Sequence, residues 1–132
     1  MHRLDKETSG CVIFAKSAEA KAAMIPMFQG RDIIKIYRAV TIGKFSAKWN
    51  EIRTDIEGYM STTLVKLLDA NKQASYLELR IETGRTHQIR VHLTDRGLPV
   101  AGDNLYGTRA HVALPGGRVR LALHAEQLSF DH

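Results

Sequence analysis

At 132 residues the chain has the size of one domain with a real core, and its 44% hydrophobic and 25% charged residues are ordinary for a soluble globular fold. No apolar run approaches a membrane span, no signal-peptide pattern opens the chain, and the single cysteine, Cys11, excludes an internal disulfide and fits a reducing cytoplasm. Nineteen Lys and Arg against fourteen Asp and Glu leave a net charge of +5, which suits a polyanionic partner or a merely solvated basic surface.

The first stretch, His2-Arg3-Leu4-Asp5-Lys6-Glu7-Thr8-Ser9-Gly10, sets one carboxylate, Asp5, between the basic Arg3 and Lys6 ahead of a Thr-Ser-Gly turn. The next residues, Cys11 to Ala15, have the length and β-branched content of a buried strand, so Asp5 is expected on a loop at a sheet edge. There it either displays a function or hydrogen-bonds its own turn, and local sequence leaves both open.

Ser17 is a good N-cap for a helix over about Ala18 to Phe28, with Glu19 in its first turn. Ala20, Ala23, Met24, Met27 and Phe28 form an apolar stripe expected in the core, Pro26 frays the last turn and Gly30 stops it. Lys35 to Gly43 reads as a strand interrupted by the polar Tyr37 and Arg38. Lys44 to Ser61 has mixed charge and little period, as expected of a loop with room for one short strand. Thr62 to Leu68 and Ser75 to Thr83 form a hairpin, because Leu77, Leu79 and Ile81 alternate with Glu78, Arg80 and Glu82, and residues 69–73 supply the turn.

Thr83-Gly84-Arg85-Thr86 is expected to start a helix that runs to about Arg96 and stops at Gly97. Ile89 and Leu93 make its buried side, with Arg90 at the margin of that face. A turn-rich loop follows from Leu98 to Gly107, and another strand lies between Arg118 and Phe130. Arg85, Arg90, Arg96, Arg118 and Arg120 concentrate the positive charge in this second half. Without repeat or linker, residues 1–132 read as a single domain.

Several chemistries lack their signals. There is no GxxxxGK[ST] or GxGxxG, and no GxSxG elbow around Ser9. His87 and His92 are five apart, about 140° around a helix, where zinc-binding helices use i, i+4. A carboxylate, an aromatic and a group of arginines remain, a set that fits chemistry on a nucleic acid without cofactor or metal.

Four segments, in order, resemble the RluA-type family of RNA pseudouridine synthases. His2-Arg3-Leu4-Asp5 with Lys6, Thr8, Ser9 and Gly10 is like the family's HRLD-[RK]-x-TSG motif. Lys35-Ile36-Tyr37-Arg38-Ala39 with Gly43 is like its K-x-Y-x-A strand. Thr83 to Leu93 is like TGRTHQIRxHL and runs on through Gly97 to Asp103 and Tyr106-Gly107, and Leu123-His124-Ala125 with Leu128 and Phe130 is like LHAxxLxF. The family's catalytic domain ordinarily begins well upstream of the first motif and continues past the last. The chain is therefore expected to be its core part, lacking upstream strands and the small basic RNA-binding domain that some members carry. Cys11 stands where the family usually has an aliphatic residue.

The resemblance implies an α+β fold, a mixed, mostly antiparallel sheet flanked by helices. It implies isomerisation of uridine to pseudouridine in RNA, ribosomal RNA of the large subunit first and transfer RNA second, by a monomer with no cofactor and no metal. It assigns Asp5 as the catalytic carboxylate, Arg90 as its basic partner and Tyr37 as the active-site tyrosine that stacks on the extruded base. Arg3 would fill the gap left by that base, with Lys6 beside it, and Arg85 and Thr86 at a helix N-terminus would meet a phosphate. The alternative class is a non-catalytic RNA-binding remnant, and a carboxylate-based nuclease is weaker still.

Overall fold

The computed structural model describes residues 2–46, 50–107 and 120–131. Their frame is a six-stranded sheet of order β1-β6-β2-β5-β4-β3. The strands are β1 (Ser9–Gly10), β2 (Ile34–Ile42), β3 (Glu51–Ile56), β4 (Tyr59–Ala70), β5 (Ala74–Ile81) and β6 (Leu123–Ser129), with helices α1 (Ala18–Gln29) and α2 (Gln88–Asp95). Among the described residues only β1 and β6 pair in parallel, so the expected mixed, mostly antiparallel α+β fold is found.

The strand period decides what lies inside. On β2, Lys35, Ala39 and Thr41 are buried together with the partly buried Tyr37 between them, and on β5 Leu77, Leu79 and Ile81 follow suit. Helix α2 lays Ile89 and Leu93 on this face, where they join Val65, Leu98, Val100, Leu121 and Leu123 in one apolar core. The hairpin β4–β5 turns at Asn71, whose side-chain oxygen accepts the N–H groups of Gln73 and Ala74.

Four expectations need correction. The segment expected to be a loop with one short strand holds all of β3 and the start of β4, joined at Glu57-Gly58 with φ of 53° and 84°, the positive values a two-residue hairpin turn demands. Residues 47–49 of that segment, like Arg118, lie outside the described residues. The apolar run Cys11 to Ala15 is not a buried strand. Beyond the Cys11 N–H bond to Ala125 it leaves the sheet edge, with Cys11 exposed, Val12 39% and Phe14 77% exposed. Helix α1 forms as expected, capped by the Ser17 hydroxyl and closed by Gly30, yet it buries no residue in the core. Finally, α2 starts at Gln88 rather than Thr83, after His87 in a left-handed conformation.

Candidate active site

The N-terminal loop, strand β2 and the start of α2 converge on a cavity of about 590 Å³. Asp5 reaches it from a turn in which its carbonyl accepts the Thr8 N–H at 3.0 Å. Behind the turn, Gly10 has φ of +120° and lies so close to β6 that a Cβ would collide with the Ala125 carbonyl, so only glycine seats the loop there. The carboxylate does not turn back on its own loop. Its Oδ2 faces Arg90 Nη1 at 3.5 Å and its Oδ1 faces His87 Nε2 at 3.8 Å.

Arg90 is 7% exposed and is held from behind. Its Nε and Nη2 donate to the two oxygens of buried Asp103 at 2.8 and 2.7 Å, a bidentate pair. Asp103 also accepts the N–H groups of Leu105 and Tyr106. The hydrogen bond with Asp103 raises the guanidinium's proton affinity above its ordinary value, against burial, so Arg90 stays a cation beside Asp5. Burial first, and the charge of Asp5 second, push the Tyr37 phenol above its usual 10.0, which keeps its proton on. His87 Nδ1 pairs with the Tyr106 hydroxyl at 2.8 Å, and the Tyr106 ring lies 5.3 Å from the Arg90 guanidinium carbon.

The loop before α2 is bracketed by one buried amide. Gln88 Oε1 accepts from the Thr83 hydroxyl and the Arg85 N–H, while Nε2 donates to the Thr62 carbonyl and the Thr63 hydroxyl. All four of its hydrogen-bonding positions are thereby used. Arg85 lines the cavity with its guanidinium 4.2 Å from the Tyr59 ring centroid. Thr86 is exposed and outside the cavity lining, and it precedes the helix proper, so the expected pairing of Arg85 and Thr86 on a helix N-terminus does not form.

Of the residues expected at a site, Asp5, Tyr37, Arg90, Arg3 and Arg85 line this cavity, and Lys6 and Thr86 do not. Lys6 is exposed on the turn beside it. The expected arginine cluster is divided too: Arg96 caps the end of α2 and Arg120 donates to the Ser9 hydroxyl. Arg3, Arg31, Lys35, Arg85 and Arg90 against Asp5 and Glu82 leave the cavity wall positive. Asp103, Tyr106, His87, Gln88 and Lys35 were not among the expected site residues. Asp103 and Tyr106 do lie inside the long third segment, which was the available signal. Among the described residues no group of three His, Cys, Asp or Glu is placed to hold a metal ion, and no helix is long and apolar enough to cross a membrane.

Residues 1–95 match the family model described as RNA pseudouridylate synthase. The whole chain aligns at 39% identity with 41% of a Neisseria meningitidis serogroup A protein named ribosomal large subunit pseudouridine synthase D. It aligns at 34% identity with 47% of the Yersinia pestis protein of that name. It thus spans about half the length of the curated relatives it matches. Among solved structures, human RNA pseudouridylate synthase domain containing 1 superposes with a TM-score of 0.77 at 29% identity, over 96% of this chain and 61% of that one. The human domain containing 4 superposes with a TM-score of 0.81 at 24% identity, over 98% and 65%, a likeness of fold.

Proposed function

The chain belongs to the RNA pseudouridylate synthase family, and from that premise we propose that it isomerises uridine to pseudouridine in RNA of the large ribosomal subunit. Transfer RNA is the second substrate class. The observation that carries the reading is the Asp5 carboxylate 3.5 Å from the Arg90 guanidinium, in a positive cavity that also holds Tyr37.

The reaction breaks the bond between N1 of uracil and C1′ of ribose, turns the base, and joins C5 to C1′ while a proton leaves C5 and one is gained at N1. No atom is lost, so no co-reactant is required. The uridine must first leave its stack, because its reacting atoms are hidden there. Asp5 acts as the nucleophile, on ribose or on the base, and Arg90 holds the carboxylate in line. Tyr37 stacks on the everted base, worth about 1–3 kcal/mol. Its phenol, kept protonated by burial and by Asp5, is then a hydroxyl able to pass a proton rather than a second anion. Arg3, at the cavity mouth, fills the vacated place in the RNA stack, and Lys6 and Arg85 meet the backbone.

Asp5→Asn keeps the shape of the side chain and removes its nucleophilicity. Nucleoside analysis of ribosomal RNA incubated with it is expected to give no pseudouridine, while RNA affinity stays within about twofold of wild type. Conversion at the normal rate would end the assignment of Asp5. A wild-type chain that binds RNA and forms no product would favour the binding remnant instead.

A further inference from the structure

Lys35 is the buried charge that this chemistry leaves unused. The residue is 9% exposed and lies on the cavity face of β2, two residues before Tyr37. Among the described residues no carboxylate comes within ion-pair distance of its ammonium, which lies 5.8 Å from the centre of the Phe28 ring. That ring is itself stacked on His2, with centroids 5.1 Å apart. Gly84, at the head of the third segment, leaves room for the ammonium, since a Cβ there would stand 3.1 Å from Nζ.

A buried ammonium without an anion is costly, and proteins normally pair such a charge or replace it. Here the cavity wall adds the cations Arg3, Arg31 and Arg85, and its two acids, Asp5 and Glu82, stand outside ion-pair distance of the ammonium. A place built this way waits for an anion from outside. Resting on the function proposed above, we infer that Lys35 binds a backbone phosphate of the nucleotide everted into the cavity. Alternate residues on one strand face stand about 7 Å apart, so a base on Tyr37 leaves its own sugar-phosphate within reach of Lys35. Burial lowers the ammonium's proton affinity in the free protein, and an arriving phosphodiester anion restores it.

The test uses the full chain and a transcript of large-subunit ribosomal RNA, with binding measured between about 50 and 200 mM salt. Lys35→Met is expected to weaken binding about fivefold at 0.1 M salt and to lower the slope of log K against log salt by about 0.7, the value of one lost phosphate contact. Lys35→Arg restores both, because a guanidinium still binds phosphate. Gly84→Ala, which crowds the ammonium, weakens binding in the wild type and adds nothing to Lys35→Met. The thermal midpoint of Lys35→Met equals or exceeds that of wild type, which a lysine kept for structure would not allow. An unchanged salt slope in Lys35→Met, an Arg variant as weak as the Met variant, or effects of Gly84→Ala and Lys35→Met that multiply would each overturn the inference. The two readings fail separately: RNA bound with the Lys35-dependent slope but never isomerised would sink the activity and leave the phosphate contact standing.

Discussion

At the scale of single residues, the Asp5–Arg90 pair depends on a third group. The short bonds of Arg90 go to Asp103, at 2.7 and 2.8 Å, and the contact with Asp5 is the long one at 3.5 Å. In the proposed reaction Asp103 is therefore a positioning residue that aims one guanidinium nitrogen at Asp5. Asp103→Ala would leave Arg90 buried without its partner, at a cost of about 3–5 kcal/mol. Asp103→Asn, milder, is expected to lower kcat by at least tenfold with little change in KM, as measured by product formation against RNA concentration. Acid should act in a definite direction. Burial works to raise the Asp103 carboxyl, but the hydrogen bonds from Arg90, Tyr106 and Leu105 outweigh it and hold the group below 3.8. Its contribution to stability is thus complete above pH 3.8 and is lost as pH falls through its lower folded value. Denaturation followed from about pH 5 downward should show that loss in wild type and a flatter profile in Asp103→Asn. Nothing in residue spacing announced this role, since Asp103 sits in a Gly-Asp-Asn turn thirteen positions from Arg90, where an aspartate ordinarily serves its own backbone.

At the scale of elements, regular alternation was readable and edges were not. Strand β2 follows from the run Lys35 to Gly43, and the hairpin β4–β5 from Leu77, Leu79 and Ile81 and the turn residues around Asn71. Strand β3 was obscured because it is an edge whose Glu51, Arg53, Thr54 and Asp55 face water, leaving only Ile52 and Ile56 buried. Cys11 to Ala15 misled in the opposite sense, since an apolar run says nothing about whether anything packs on it. The start of α2 is not legible from its neighbours because no side chain caps it; the loop before it is instead held by Gln88, a residue inside the helix. That amide ties the loop of Arg85 and His87 to β4. Gln88→Ala is accordingly expected to cost about 2–4 kcal/mol, since it strands buried donors and acceptors. Denaturant midpoints would measure the loss. Hydrogen exchange should localise it to residues 83–88 and the facing part of β4, and equal protection there in the variant would refute the bracket.

At the scale of the whole molecule, charge and edges set behaviour in solution. The positive wall of the cavity gathers part of the chain's +5 charge on one face, where a polyanion would be drawn, and the opposite outcome, charge spread evenly, is equally open from composition. The sheet has two edges. On β3 the exposed Glu51, Arg53 and Asp55 oppose pairing with another chain. Among the described residues the β1 edge is guarded less: Arg120 reaches Ser9, but the chain continues from the strand into Val12 and Phe14, both exposed, with exposed Cys11 alongside. Self-association should therefore run through this edge. Phe14→Lys adds a charge where an apolar ring meets water, and a surface change of this kind moves stability by no more than about 0.5 kcal/mol. Sedimentation of both proteins in reductant, so that Cys11 cannot bridge two molecules, is expected to show the wild type associating at high concentration and the variant remaining monomeric with the same thermal midpoint. Equal association in the two would place the sticky surface elsewhere.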